Sequence, residues 1–200
     1  MPTIRFLTQA DLAEYLAAGD PLANYLGQVD STSERWLHES PAKRMIAWKL
    51  YGDLFASARL RIADIGSGYS SIQKALAECH DYLAVDLGAH DTAWNLQFGD
   101  WRDLPDQELD LVIANDLFPN VDQGLEPFLE KFGCPLRLSL TVYADRYYRV
   151  KRADADELLT IKAWDWPQTQ AVLLRHMQVP DISPPTESLF DNGRQICLVV

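Results

Sequence analysis

The sequence predicts an α/β fold: a doubly wound, mostly parallel sheet that ends in an antiparallel hairpin and carries an N-terminal helical cap. Three observations predict it. Short apolar runs at Leu60–Ile65, Asp81–Asp86 and Leu109–Asn115 alternate with helical stretches, the pattern of a parallel sheet linked by right-handed crossovers and covered on both faces. The turn Gly66-Ser67-Gly68 joins the first of these runs to a helix. Near the C-terminus, Asn192-Gly193 stands between two strand-like segments, the residue pair that a type I′ hairpin favours. At 200 residues the chain suits a single domain, with about residues 1–57 as the cap and 58–200 as the core.

In chain order, Ala10–Ala17 has helical spacing and is closed by Gly19, and Pro21 opens a short second helix that Gly27 stops. Ser40-Pro41 reads as an N-cap with proline at the first helical position. Ala47, Leu50, Tyr51, Leu54 and Phe55 then recur on one face. After the strand at Leu60–Ile65 come a helix at Ser70–Cys79, a strand at Asp81–Asp86 and a shorter strand ending near Gly99-Asp100. Leu109–Asn115 is the next strand, followed by a helix at Val121–Phe132 that stops at Gly133. Leu136–Tyr143 is a fifth strand. Residues 144–165 form an insertion in which Tyr147–Arg152 pairs with Glu157–Trp164. A helix over Trp166–Met177 and the hairpin Glu187–Phe190/Arg194–Val200 complete the chain.

Lys and Arg number 18 against 29 Asp and Glu, for a formal net charge of −11. Such a surface repels phosphate backbones, which argues against nucleic-acid and anionic-membrane partners. Cys79, Cys134 and Cys197 are odd in number and widely spaced, so each is expected as a small buried hydrophobe rather than half of a disulfide or zinc site. His80, His90 and His176 show no metal-ligand spacing. No apolar run approaches a membrane span and Met1–Asp20 does not read as a signal peptide, so the expected compartment is the cytoplasm.

The glycine turn sits where a nucleotide-binding turn belongs, over the carboxyl ends of the strands. A helix starting near Ser70 would present free N–H groups there. A dinucleotide fingerprint wants a third glycine at Ser71, and Asp64 would repel a pyrophosphate. Asp64 suits an ammonium or sulfonium group instead. Asp86 lies twenty residues after Gly66, the spacing of a carboxylate that accepts ribose hydroxyls. Asp100 follows the third strand and is placed to accept from an exocyclic amino group. Three carboxylates on successive strand ends fit a cationic adenosine compound.

Over about residues 58–143 the chain resembles the class I, Rossmann-like S-adenosylmethionine-dependent methyltransferases. The resemblance is carried by Asp64-x-Gly66-x-Gly68, the acidic strand end Asp86, the Gly99-Asp100-Trp101 element and the Leu109–Asn115 strand, in the family's order. Ser70 departs from the pattern, which often has a third glycine there. The resemblance implies S-adenosylmethionine as cofactor, with S-adenosylhomocysteine as product. It implies cofactor contacts at Asp64, Gly66, Ser67, Gly68, Asp86, Leu87, Asp100, Trp101 and Asn115. The implied activity is methyl transfer to an O or N atom of a small-molecule acceptor. The alternatives are a non-catalytic, cofactor-binding partner protein of the same fold and, further off, a nicotinamide-dependent oxidoreductase.

Methyl transfer is a displacement at a sulfonium carbon, which fixes no catalytic motif. His38 is the candidate base, with Glu39 to orient it, and Asp116 is a further catalytic candidate. Trp36, Arg44 and Phe118 are candidate acceptor contacts. Tyr147 and Arg149, in the one basic cluster of the chain, are further candidates for an acidic acceptor. The competing roles are a surface turn for His38, a solvated helix position for Arg44, helix capping for Asp116 and a charged edge strand for Tyr147 and Arg149. The N-terminal helices are expected to cover the cofactor and form much of the acceptor pocket, a lid that excludes water. A homodimer contact is their alternative role.

Overall fold

The computed structural model describes residues 2–86, 96–118, 124–143, 147–152 and 157–200. The chain runs β1 (Ile4–Phe6), α1 (Gln9–Ala17), a 3-10 turn (Pro21–Tyr25), α2 (Thr32–Glu39), α3 (Pro41–Tyr51), a second 3-10 turn (Leu54–Ala56), β2 (Arg61–Ile65) and α4 (Ser71–Cys79). It continues through β3 (Asp81–Asp86), β4 (Leu96–Phe98), a 3-10 turn (Trp101–Asp103), β5 (Leu111–Asn115) and α5 (Leu125–Lys131). The last elements are β6 (Leu136–Val142), β7 (Tyr147–Arg152), β8 (Glu157–Lys162), α6 (Trp166–His176) and β9 (Gln195–Val199).

Seven strands form one sheet in the order β1-β9-β6-β5-β2-β3-β4. Strands β2 to β6 are parallel to their neighbours, and β9 and β1 are antiparallel. From β2 the chain steps outward to β3 and β4, then returns to the other side of β2 as β5. The order therefore reverses between β2 and β5, where a doubly wound sheet opens a crevice at its carboxyl edge. Alternate residues of the central strands enter two cores. Ala63, Val112 and Leu138 pack with α5 and α6 on one face, and Ile62, Ile113 and Ile196 with α1, α3 and α4 on the other.

The sheet ends in antiparallel strands as expected, but the partner of the last strand differs. Residues 187–190 form no strand. The Asn192-Gly193 turn is present, with Gly193 N–H donating to Phe190 O at 3.0 Å and Arg194 N–H to Asn192 Oδ1 at 3.0 Å. Leu189 before it is turned into the core instead of pairing. The free edge of β9 is taken by β1, whose Ile4 and Phe6 are buried. So the N-terminal segment, expected to be wholly helical, also supplies an edge strand. The β7–β8 hairpin forms a separate two-stranded sheet as the sequence predicts. The predicted start of the Val121–Phe132 helix lies outside the described residues. Pro127 sits in the first turn of α5, where its missing N–H leaves no intrahelical bond unmade.

Cys197 is buried, and burial pushes its thiol up to about 12; Cys134 is half-buried. Cys79, expected to be buried, is exposed, because the last turn of α4 meets solvent there. Among the described residues no helix is long and apolar enough to cross a membrane.

Candidate functional site

A cavity of about 170 Å³ lies at the carboxyl edge of the sheet, at the point of reversal. Its floor is the glycine turn after β2, Asn115 and Asp116 at the end of β5, Ser139 of β6 and Arg194 before β9. Its roof is Trp36 and Leu37 of α2 with Lys43, Ala47 and Tyr51 of α3. Small-molecule sites run to roughly 300–1,000 Å³. The cavity bounded by the described residues is smaller than that range.

The turn needs its two glycines. Gly66 and Gly68 have φ of +65° and +63°, open to glycine and strained for other residues. A Cβ on Gly66 would stand 2.7 Å from Leu117 Cδ1, and one on Gly68 2.3 Å from Ser33 Oγ. Gly68 N–H donates to Asp86 Oδ2 at 2.9 Å, which fixes the acidic end of β3 beside the turn.

Asp64, expected to face a cationic ligand, is fully buried beneath the cavity rather than lining it. Tyr51 OH donates to its Oδ2 at 3.0 Å and Tyr82 OH donates to the same oxygen. Oδ1 has no hydrogen-bond partner. Burial pushes the Asp64 carboxyl up to about 7 against the opposing pull of the tyrosine hydrogen bonds.

The first two N–H groups of α4, expected to be free for a ligand, are taken by side chains of the protein. Glu34 of α2, 1% exposed, accepts from Ser71 N–H at 2.8 Å, from Ser71 Oγ at 2.9 Å and from Gly27 N–H at 2.7 Å. Ser70 Oγ accepts from Ile72 N–H at 3.3 Å. The protein's own carboxylate therefore occupies the positive end of that helix. The Ser31-x-x-Glu34 spacing, not among the predicted helix starts, is that of the α2 N-cap. It gave no sign that the glutamate would cross to another element.

At the end of β5, Asp116 adopts a left-handed φ of +55°. Its N–H donates to Ser139 Oγ at 2.8 Å, and Ser139 Oγ donates to Asn115 Oδ1 at 2.7 Å. Thr141 Oγ1 donates to Asp116 Oδ1 at 2.5 Å and Arg194 Nη1 to Oδ2 at 3.1 Å. This strained conformation, held by β6 and Arg194, aims the carboxylate at the cavity. Lys43 is half-buried with Nζ 3.9 Å from the Trp36 ring centroid. Burial lowers its pKa, as does Arg194, while Asp116 opposes the shift.

Of the sequence-predicted residues, Gly66, Ser67, Gly68, Asn115, Asp116 and Trp36 meet at the cavity, and Asp86 braces its floor. Others do not. His38 Nε2 lies 3.0 Å from Gly27 O, outside the cavity lining. The carboxylate beside it is Glu34, at 3.6 Å, and not Glu39, whose Oε1 lies 3.8 Å from Arg35 Nε. Arg44 is spent on structure: its guanidinium grips Asp20 (2.7 and 2.9 Å) and donates to the last carbonyls of α2. Phe118 and Trp101 are buried in the core, each edge-on to Phe128. Asp100 caps the 3-10 turn and pairs with Arg102 at 2.9 Å. Leu87 lies outside the described residues, and Tyr147 and Arg149 are described in backbone only, on β7. As site residues, Lys43, Arg194, Ser139 and Tyr51 escaped the sequence reading, since no local motif marks them for a ligand, and Glu34 carries only the spacing of a helix start. His176 does approach Glu126 and Glu130, but Arg175 already holds Glu126 at 2.6 Å.

No family model matches the chain, and no curated protein matches it. Solved structures do. The 1,6-didemethyltoxoflavin-N1-methyltransferase of Burkholderia thailandensis, with 1,6-didemethyltoxoflavin and S-adenosylhomocysteine bound, is similar at 16% identity and TM-score 0.54, over 100% of this chain and 94% of that one. The N-terminal domain of EvdMO1 with S-adenosylhomocysteine bound is similar at 16% identity and TM-score 0.52, over 94% of each chain. DhpI in complex with S-adenosylhomocysteine gives 16% identity and TM-score 0.51, over 97% of this chain and 98% of that one. The fold is thus that of a Rossmann-like α/β protein with antiparallel closing strands. More particularly, it is the class I S-adenosylmethionine-dependent methyltransferase fold.

Proposed function

We propose that this protein is an S-adenosylmethionine-dependent methyltransferase acting on an O or N atom of a small-molecule acceptor. One observation carries the reading. The Gly68 N–H bond to Asp86 locks a glycine turn and an acidic strand end together beside a cavity at the sheet's reversal point. Three features fit the cofactor. Asp86 offers a carboxylate for ribose hydroxyls, Asp64 Oδ1 beneath the cavity has no hydrogen-bond partner, and the two glycines bring main chain to the cavity wall at positions 66 and 68. Gly66, Ser67, Gly68, Asp86 and Asn115 would hold it, with Asp64 beneath. S-adenosylmethionine supplies a methyl group on a positively charged sulfur and leaves as S-adenosylhomocysteine.

The chain's own residues do the rest. Trp36, Leu37, Ile46 and Ala47 give the roof of the cavity an apolar surface, which would strengthen polar interactions with a ligand beneath it. The Asp116 carboxylate faces the cavity and would accept the proton or hydrogen bond of an acceptor O–H or N–H. The Glu34 carboxylate stands where a dinucleotide's pyrophosphate would need the start of α4, which disfavours the oxidoreductase alternative. The net charge of −11 disfavours nucleic-acid acceptors.

Calorimetric titration with S-adenosylhomocysteine and NADH, followed by an acceptor screen for S-adenosylhomocysteine release, tests the reading. Tight binding of the first ligand and turnover on a small molecule are expected. Absence of cofactor binding overturns the reading. Binding with silence across a broad acceptor library favours a non-catalytic partner protein.

A further inference from the structure

The cavity is more positive than the composition leads one to expect. The chain holds 29 acidic and 18 basic side chains, yet among the described residues the charged ones that line the cavity are Lys43, Arg194 and a single acid, Asp116. Asp116 is already engaged by Arg194 Nη1 and Thr141 Oγ1. Arg194 keeps a further donor: its Nε is buried with no hydrogen-bond partner. A buried guanidinium N–H without an acceptor is costly. The guanidinium that carries it lines the cavity, where a ligand acceptor can add to its hydrogen bonds. Lys43 makes no ion pair among the described residues and rests over the Trp36 ring. A half-buried ammonium in that position is likewise available to an anion.

We infer that Lys43 and Arg194 form a carboxylate-binding subsite for the methyl acceptor, which is therefore a small organic anion. This rests on the methyltransferase reading above. The cofactor's own carboxylate is the other source of such a group, and the topology favours the acceptor. The glycine turn follows β2, whereas Arg194 precedes β9, three strands away. At about 4.8 Å per strand the two backbones stand roughly 14 Å apart across the sheet. The Arg194 side chain bonds Asp116, just past the end of β5, at 3.1 Å and lies over the Phe190 ring at 4.2 Å, so its described contacts lie away from the glycine turn. Arg194 offers a planar fork matched to a carboxylate and Lys43 a point charge. Trp36 adds an aromatic wall beside them.

The test titrates the protein, saturated with S-adenosylhomocysteine, with benzoate, salicylate and indole-3-acetate and with the matching amides. Binding is read by ligand-observed NMR and calorimetry. Carboxylates are expected to bind at least about tenfold more tightly than their amides. Lys43→Gln and Arg194→Gln should each weaken carboxylate binding by about tenfold or more, the scale of a charge-assisted hydrogen bond. Affinity for S-adenosylhomocysteine should stay within about threefold in both variants, since neither cation is assigned to the cofactor. Lys43→Gln keeps the test open should Arg194→Gln fail to fold. Equal binding of amides and carboxylates, or no carboxylate binding at all, overturns the inference. A tenfold fall in S-adenosylhomocysteine affinity in both variants also overturns it, by giving the cations to the cofactor. Failure of wild type to bind S-adenosylhomocysteine is a separate result that removes the methyltransferase reading itself.

Discussion

The Glu34 carboxylate caps a helix that it does not belong to: its Oε2 accepts from Ser71 N–H at 2.8 Å, at the start of α4 just past the glycine turn. Gly27 N–H and Ser71 Oγ complete its shell. One buried side chain thereby fastens α2 over the turn. Glu34→Ala strands the Ser71 N–H at the start of α4, while Gly27 N–H keeps Ser71 Oγ at 3.0 Å, and an unsatisfied buried group costs about 1–3 kcal/mol. Urea denaturation should show a loss of about 1–3 kcal/mol. Wild-type stability in that variant would mean that α2 is not held by this bond.

A second interlock sits one residue earlier in α2. The Gly68 Cα faces Ser33 so closely that an added Cβ would meet Oγ at 2.3 Å, and Ser33 Cβ at 3.3 Å. Gly68→Ala should therefore suffer twice, from the clash and from φ of +63°. The double variant Gly68→Ala/Ser33→Ala removes the Oγ clash and leaves the backbone strain of about 1 kcal/mol. Its stability is expected to lie between wild type and the single variant. Strict additivity of the two changes would argue against contact between these positions.

Asp64 makes stability depend on pH with an unusual sign. Burial raises its carboxyl from 3.8 to about 7. The native state thus keeps a proton that the unfolded chain gives up. Stability is full below about pH 4, falls as pH rises toward 7 and levels off above. Other carboxylates, such as Asp11 and Asp53, are held low by Arg5 and Arg137 and act in the opposite direction. The contribution must be read as a difference. Unfolding free energies of wild type and Asp64→Asn, measured from pH 4 to 8, should converge toward the acid end and separate in favour of the variant near pH 7. Parallel curves would place the titration elsewhere.

Strong local signals carried the parts of the fold and site that were legible in sequence. β2, its glycine turn, α4 and Asp86 announce themselves through buried runs, paired glycines and a fixed spacing. Strand β1 did not, because three residues flanked by a helix carry too little periodicity, and its pairing with β9 spans nearly the whole chain. The site's cations were hidden for a related reason. Arg44 and Lys43 are adjacent on α3, and only the tertiary fold sends one to Asp20 and the other into the cavity. Trp101 and Phe118 show the same limit, since an aromatic after a strand serves core or pocket wall equally well. Glu34 reached its partner across 37 residues, beyond any capping motif.

Asp86 is expected to decide cofactor affinity. Its Oδ2 accepts from Gly68 N–H at 2.9 Å, so Asp86→Ala would remove both a ribose acceptor and a brace of the turn. A charge-assisted hydrogen bond is worth about 1.5–3 kcal/mol, or roughly 10- to 100-fold in Kd. Calorimetry with S-adenosylhomocysteine should show that loss in Asp86→Ala. A smaller loss is expected in Asp86→Asn, which retains an oxygen for the Gly68 N–H. Unchanged affinity in Asp86→Ala would exclude Asp86 from the ribose site.

The last prediction separates two candidate bases. His38 bonds Gly27 O and leans on Glu34, so it belongs to the fastening of α2. Asp116 points into the cavity, held in a left-handed conformation by Ser139, Thr141 and Arg194. Proton removal by a positioned carboxylate contributes about 10²- to 10⁴-fold to a rate. Asp116→Asn is close in shape and keeps an oxygen to accept from Thr141, so it should fold normally. It should lower turnover by about 10²-fold or more, with S-adenosylhomocysteine affinity little changed. His38→Ala should keep kcat within about threefold of wild type, because no proton transfer depends on it. The two rates measured on one acceptor decide the matter. A 10²-fold fall in His38→Ala with a normal rate in Asp116→Asn would reverse the assignment and require α2 to move His38 into the cavity during turnover.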